Sequence, residues 1–369
     1  MAEPVYLDHN ATAPIRPEAA RAVADALTRV GNASSVHRFG RDARRTLEDA
    51  REAVAGLIGA RAAQVVFTGS GTEANNLALQ GVARPRALVS AGEHDCVLRA
   101  RGDGETIPLT ADGQVDLDAL AALLARDDRP AVVSVMLTNN ETGVVNDVAR
   151  AAEIAHGAGA LFHCDAVQAP GKLGVDVRDL GVDLLTLSAH KIGGPQGVGA
   201  LVLPSEVPLT KLMGGGGQER GYRPGTENVA AAAGFGAAAE LAARESLADL
   251  AGWRERLERT VREIAPHAVI HGRDAPRLPT TSCIGLPGVN AETQVMALDL
   301  AGVAVSSGSA CSSGKVHPSH VLRAMGLDED AAGEAIRVSL GWNSRESDVD
   351  RFLDAWAKLA RRHMPDQAA

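Results

Sequence analysis

The run Asp183-Leu184-Leu185-Thr186-Leu187-Ser188-Ala189-His190-Lys191-Ile192-Gly193-Gly194-Pro195 decides how this chain folds. Residues 183–188 are nearly all apolar or β-branched and too few for a helix, so they predict a short strand. A strand with so little alternation belongs in a sheet covered on both faces. The next residues, His190 and Lys191, are polar, and Gly-Gly-Pro then ends any regular structure. The chain has five lysines, at 172, 191, 211, 315 and 358. One of them set directly after a buried strand is poorly placed for solubility. A desolvated lysine loses basicity readily and suits Schiff-base chemistry. An ordinary strand-end lysine fits this segment equally well when it is read alone.

Working outward, similar apolar runs predict strands at Val65–Thr68, 87–90, 131–138, Leu161–Asp165 and 199–203. Helical patterns lie between them: Leu47, Ala50, Val54, Leu57 and Ile58 share one face, and residues 117–124 form another. Strands alternating with helices predict an α/β fold with a mostly parallel sheet between helical layers. Ligands in such folds sit at the carboxyl ends of the strands. A long helical tract over 227–264 is expected to lead into a smaller α+β unit with strands near 269–270, 282–286 and 335–340. The division read here is a large domain over 13–250 and a small one from 1–12 and 251–369. Gly214–Gly217 reads as a mobile loop.

Two more strand ends carry chemistry. After Val65–Thr68 comes Gly69-Ser70-Gly71-Thr72-Glu73, in which Ser70 and Glu73 have capping-box spacing. A helix beginning there would aim unpaired N–H groups and its dipole at an anion such as a phosphate. A plain capped turn explains the same residues, and the ending of a nucleotide-binding P-loop is missing. After Leu161–Asp165, the carboxylate of Asp165 is a solvated terminus, a metal ligand or the partner of a buried cation such as a pyridinium nitrogen. Neighbouring His163 and Cys164 point to opposite faces of a strand and cannot gather with it around a metal. Three strand ends thus offer a phosphate cradle, a pyridinium partner and an amine, a set that coincidence explains poorly.

Composition narrows the function classes. The 369 residues carry a formal net charge of −9 and no basic run with interleaved aromatics, which argues against a nucleic-acid partner. The alanine-rich stretch 230–243 is interrupted by Gly234, Gly236 and Glu240, so no membrane span is expected. There is no secretory pattern at the start, and the four cysteines show no framework spacing. A reducing cytoplasm is the expected location. Cys164 and Cys283 fall in strand patterns and read as buried small hydrophobes, Cys96 as an unassigned thiol, and His156, His267 and His363 as surface or structural.

The order and spacing of several short motifs then resemble one family. They are Tyr6-Leu7-Asp8-His9-Asn10-Ala11-Thr12, Glu93-His94, Asn139-Asn140-Glu141-Thr142-Gly143 and Ser188-Ala189-His190-Lys191, followed by Gly215-Gly216-Gly217-Gln218-Glu219-Arg220-Gly221 with Gly225-Thr226, and Ser306-Ser307-Gly308-Ser309-Ala310-Cys311. From Tyr6 to about residue 350 the chain resembles the class V, fold-type I pyridoxal-phosphate enzymes, and within them the cysteine desulfurases of the NifS/IscS type.

That resemblance implies a homodimeric enzyme that uses pyridoxal 5'-phosphate to take sulfur from L-cysteine, leaving L-alanine and a persulfide on Cys311. It implies that Lys191 is the Schiff-base lysine and proton shuttle, that Asp165 pairs with the ring nitrogen and Gln168 with the ring hydroxyl, and that His94 stacks on the ring. Gly71, Thr72, Ser188 and His190 match phosphate-contacting positions, and Thr226 one that reaches the phosphate from the neighbouring subunit. Asn140, beside the cofactor, and Arg337 match residues that hold the substrate carboxylate. The implied sulfur acceptor is a protein such as an iron–sulfur scaffold, with Cys311 able to share a cluster transiently. Competing readings are a related aminotransferase or selenocysteine lyase with no use for Cys311, and a catalytically silent scaffold of the same fold.

Overall fold

In the computed structural model, residues 3–308 and 317–363 are described. Seven strands form the main sheet: β1 (Val65–Thr68), β2 (Arg86–Ser90), β3 (Glu105–Ile107), β4 (Ala131–Ser134), β5 (Leu161–Asp165), β6 (Leu184–Ser188) and β7 (Gly199–Val202). Their order across the sheet is β1-β7-β6-β5-β4-β2-β3. All neighbours are parallel except β7, which runs antiparallel to both β1 and β6. This is the α/β, mostly parallel sheet between helices that the sequence predicts.

The sheet is buried on both faces, and period-two geometry sorts its side chains. Val133, Phe162 and Leu185 enter one apolar cluster, while their chain neighbours Val132, Leu161 and Leu184 face another. On the first face lie α1 (Pro17–Leu27) and α2 (Arg38–Leu57), whose Leu47, Ala50 and Val54 are buried as the apolar spacing requires. On the second lies α3 (Gly71–Gly81), which starts directly after β1.

The expected tract over 227–264 is two helices, α4 (Val229–Ala242) and α5 (Leu250–Ile264). Glu245, in the break, makes a two-pronged ion pair with buried Arg16, both contacts at 2.7 Å. Helical periodicity runs through both segments and carries no sign of a partner 229 residues away. Small residues let α4 approach its neighbours closely. A Cβ at Gly236 would lie 2.7 Å from Ala50 Cα, and one at Gly234 2.5 Å from Val23 Cγ2. The alanine-rich stretch is therefore a buried packing helix, and no helix among the described residues is long and apolar enough to cross a membrane.

A third apolar cluster gathers around a three-stranded antiparallel sheet of β8 (Val269–Ile270), β9 (Thr281–Gly285) and β10 (Ala335–Ser339). Ile284, Ile336 and Val338 pack there against Phe352 and Trp356 of α6 (Glu346–His363). Val5 and Leu7 join the same cluster, brought in by the short parallel pairing of Val5–Tyr6 with Val303–Ala304. Residues 8–12 leave that cluster and run to the carboxyl edge of the main sheet, where Ala13 N–H donates to His190 O. The 131–138 run keeps only residues 131–134 as strand. Beyond them Val135 and Leu137 still donate to β5, but the pairing with β2 has ended.

Candidate active site

The carboxyl ends of β1, β5 and β6 open into one cavity of about 330 Å³. Its wall includes Ser70, Gly71, Thr72, His94, Asn140, Asp165, Gln168, Ser188, His190, Lys191 and Arg337. Residues far apart in the chain are gathered because parallel strands all end on the same side.

At the β1 end, Ser70 caps α3 and its Oγ accepts from Glu73 N–H at 3.1 Å. The expected reciprocal contact from Glu73 to Ser70 N–H does not form. Glu73 Oε2 accepts instead from Gly69 N–H at 2.7 Å, and Oε1 from Arg223 Nε at 2.8 Å. A guanidinium 150 residues along the chain draws the carboxylate outward, which capping-box spacing alone does not register. The first turn of α3 retains N–H groups without intrahelical acceptors, at the positive end of the helix dipole. A Cβ at Gly71 would crowd Val167 Cγ2 at 3.1 Å and touch Ser188 Cβ at 3.4 Å. The turn thus presents bare backbone to the cavity.

At the β5 end, Asp165 is buried and both its oxygens are held. Oδ2 accepts from Asn75 Nδ2 at 2.7 Å and Oδ1 from Val167 N–H at 2.9 Å. Asn75 was not singled out from the sequence. Its signal was there, a fully polar amide four positions after Gly71 on the face of α3 that turns inward. Glu93 is buried nearby, and burial, then the negative charge of Asp165, pushes its carboxyl well above the ordinary range.

At the β6 end, a single 3₁₀ turn, Ala189–Lys191, carries His190 and Lys191 to the cavity. Lys191 Nζ donates to the backbone carbonyls of Asn10 at 2.6 Å and Ala11 at 2.8 Å. His190 Nδ1 lies 3.2 Å from Thr12 Oγ1, and burial, then the charges of Lys191 and Lys172, lower its pKa to about 4. Its ring is neutral at pH 7. His94 caps the short helix Asp95–Leu98, its Nδ1 accepting from Cys96 N–H at 3.2 Å. Cys96 also lines the cavity, with its sulfur 3.2 Å from Asn75 Nδ2.

Another wall comes from the three-stranded sheet β8–β10 and the segment before Cys311. Arg337 projects from β10, 4% exposed. It donates from Nη2 to Asp8 Oδ1 at 2.6 Å and from Nη1 to Asn140 O at 3.0 Å. Its Nε is buried with no acceptor among the described residues. A guanidinium in a cavity wall suits an incoming carboxylate.

Ser306 and Gly308 complete this wall, and Gly308 is three residues before Cys311. Cys311 itself, with its expected roles as nucleophile and cluster ligand, lies outside the described residues. Among the described residues no group of His, Cys, Asp and Glu could hold a metal ion. His163 is bonded to Ser134 and Thr186 instead. Cys164 and Cys283 are buried free thiols whose ionisation burial opposes. Thr226 is exposed and is not brought to the cavity of its own chain.

Two residues at the centre of the site carried no assigned role from the sequence. Asn10 is 1% exposed and uses its side chain and backbone to touch Lys172, Asn140, Gln168, Lys191, Thr281 and Ser339. Lys172 is buried and lies one helical turn's spacing after Gln168. A lysine in the apolar-flanked stretch after β5 was the available signal.

Known proteins with this arrangement are numerous. Residues 5–352 match the family described as aminotransferase class-V. A cysteine desulfurase of Cereibacter sphaeroides is 45% identical over 95% of this chain and 94% of its own. An IscS-like cysteine desulfurase of Mycobacterium tuberculosis is 41% identical over 95% and 94%. Among solved structures, a NifS-like protein from Rickettsia africae superposes with a TM-score of 0.91 at 34% identity, covering 97% of this chain and all of that one. SspA in complex with cysteine superposes with a TM-score of 0.78 at 28% identity, covering 91% and 98%.

Proposed function

The chain belongs to the aminotransferase class-V family, and from that premise we infer that it is a cysteine desulfurase acting on L-cysteine. Its cofactor is pyridoxal 5'-phosphate, and the residues fit that group. Gly71, Thr72, Ser188 and His190 form a cradle of backbone and small polar groups for a phosphate. Asp165, with both oxygens already oriented by Asn75 and Val167, would pair with the ring nitrogen and favour its protonated form. Lys191 supplies the amine. When bound, the group supplies an electron-withdrawing ring that acidifies the substrate's Cα–H.

The chain's own residues do the rest. Arg337 and the neighbouring Asn140, both in the cavity wall, would hold the substrate carboxylate and so fix Cα in front of Lys191. The Lys191 amine takes the Cα proton, and the carbonyls of Asn10 and Ala11 stabilise the resulting ammonium. The Cys311 thiolate bonds to the substrate sulfur as the substrate's C–S bond breaks, the electron pair staying on carbon. Returned protons complete L-alanine, and the sulfur remains on Cys311 as a persulfide. Gly308, in the cavity wall, is three residues before Cys311 in the sequence.

The carrying observation is that one cavity gathers the Lys191 amine, the buried Asp165 carboxylate and the Arg337 guanidinium. The persulfide then passes to an acceptor, read here as an iron–sulfur assembly scaffold or another sulfur-using protein. A second copy of the chain is part of this reading. Thr226 is displayed outward, and Leu27, Val30, Val36 and Phe39 expose apolar surface around the α1–α2 turn. A reducing compartment such as the cytoplasm suits a protein whose described cysteines are all free thiols. Mass spectrometry of the protein after incubation with L-cysteine tests the reading. One added sulfur atom is expected on Cys311, together with loss of sulfide production in Cys311→Ser. Undiminished sulfide from that variant would rule the assignment out.

A further inference from the structure

Lys172 is buried, and none of the described carboxylates lies within ion-pair distance of it. Its nitrogen donates to Gln168 Oε1 at 2.7 Å and to Asn10 Oδ1 at 2.9 Å. Burial, then the charges of Lys191 and Arg337, push its amine well below the ordinary value. Even uncharged, an amine keeps two N–H donors for these two oxygens.

The consequence lies in the amides. The two ends of a carboxamide have nearly the same shape, and only their partners decide which is oxygen and which is NH₂. Lys172 donates to both amides, so each presents its oxygen end to it. Gln168 then turns its Nε2 the other way, where it donates to Asn10 O at 2.9 Å and keeps a second N–H beside the cavity. Asn10 likewise turns its Nδ2 to Asn140 O at 3.1 Å and Thr281 Oγ1 at 3.0 Å. Asn10 O, fixed in this way, is the carbonyl that receives Lys191 Nζ.

We propose that Lys172 is a positioning residue for the Lys191 amine and the Gln168 amide, acting on both through oxygens that only a donor in its place could orient. This rests on Lys191 being the amine that carries the cofactor and moves the Cα proton. Losing Lys172 frees Gln168 to flip and loosens the carbonyl on which the Lys191 ammonium rests, so proton transfer suffers more than substrate binding.

The experiment uses the full cofactor-loaded chain as wild type, Lys172→Met, Asn10→Ala and the double variant. Borohydride reduction and peptide mapping locate the cofactor, a trapping protein reads its release, and α-deuterated L-cysteine reads the proton step. The label is expected on Lys191 throughout, with faster cofactor release from Lys172→Met. The turnover number should fall by about tenfold to a hundredfold, as expected for a small misplacement of a reacting group. KM should stay within about twofold, because ground-state binding is untouched. The isotope effect should rise above the wild-type value, and the double variant should be no worse than the more damaged single one. Wild-type release and isotope effect in folded Lys172→Met, or losses that multiply in the double variant, overturn the proposal while leaving the desulfurase reading intact. A wild-type label anywhere but Lys191 overturns both. If Lys172→Met does not fold, Lys172→Ala, whose shorter side chain leaves room for water beside Gln168 and Asn10, takes its place in the same measurements with the same expected and overturning results.

Discussion

Arg337 and Asp8, 329 residues apart, form an ion pair of 2.6 Å in which the carboxylate takes Nη2 and leaves Nε of the guanidinium buried and unfilled. Asp8 lies in the segment that leads from Val5–Tyr6 to Asn10, so this contact ties that segment to β10. The arginine is held in place before any substrate arrives, and little side-chain ordering is left to substrate binding.

Arg337→Lys should therefore raise KM for L-cysteine by roughly tenfold to a hundredfold, since one or two hydrogen bonds to a charged group are worth about 1.5–3 kcal/mol each. Asp8→Asn leaves the guanidinium in place but weakens its anchor, and should raise KM by less. Steady-state kinetics with L-cysteine check both. Equal KM values for wild type and Arg337→Lys would remove Arg337 from substrate binding.

Asp165→Asn replaces the carboxylate that faces a pyridinium nitrogen with a neutral amide. The turnover number should fall by about 100-fold or more, the usual effect of deleting one preorganised electrostatic contact. Asn75→Ala removes a single hydrogen bond from Asp165 and should cost less, while shifting the absorbance of the bound cofactor in the same sense as Asp165→Asn. Absorbance spectra of the two loaded variants, compared with wild type, show whether Asn75 acts through Asp165.

His163 sits between Ser134 Oγ at 2.8 Å and Thr186 Oγ1 at 3.0 Å, and burial lowers its pKa to about 3. In the unfolded chain the same imidazole takes a proton below about pH 6.5. From there down to about pH 3 the unfolded state binds the extra proton, and stability falls as the pH drops. His163→Asn, which can still bond both hydroxyls, should flatten that acid limb. Tm measured near neutrality and again at about pH 4.5 reads the difference. The same drop in both proteins would assign the limb to other groups.

Arg51 and Glu219 form a two-pronged pair at 2.7 and 2.8 Å, with both side chains almost fully buried, and Glu219 also accepts from Phe67 N–H at 2.8 Å. Among the described residues, Glu219 and Arg220 are the non-glycine residues at positive φ, 45° and 56°. Such backbone persists only where the surroundings over-determine it. Arg51→Met leaves a carboxylate buried without its partner and should lower stability by about 3–5 kcal/mol. Replacing Glu219 as well, by Gln, should recover part of that loss. Urea unfolding of the three proteins checks the order.

The legibility of each feature in the sequence varies with the distance over which it is decided. The strands Val65–Thr68 and Leu161–Asp165 stand where the apolar runs place them, because burial on two faces demands near-continuous apolar residues over a few positions. Gly71, Asp165 and Lys191 converge because their strands end on one side of a parallel sheet, a result already contained in the placing of the strands. The break between α4 and α5 escaped, since Glu245 turns aside for an arginine in another element. The carboxylate of Glu73 escaped in the same way, taken by Arg223 and Gly69.

Sequence by itself determined the alternation of strands and helices, the chemistry of three strand ends and the likeness to a family. All of these reside in residue types at short spacings, where propensity, turn geometry and period act. The tertiary structure alone decided who satisfies whom: Asp8 with Arg337, Asn75 with Asp165, and Lys172 with Asn10 and Gln168. A buried polar group takes whichever partner the packed chain brings within about 3 Å, and that choice has no trace in local sequence because it is made only after the chain has closed around it.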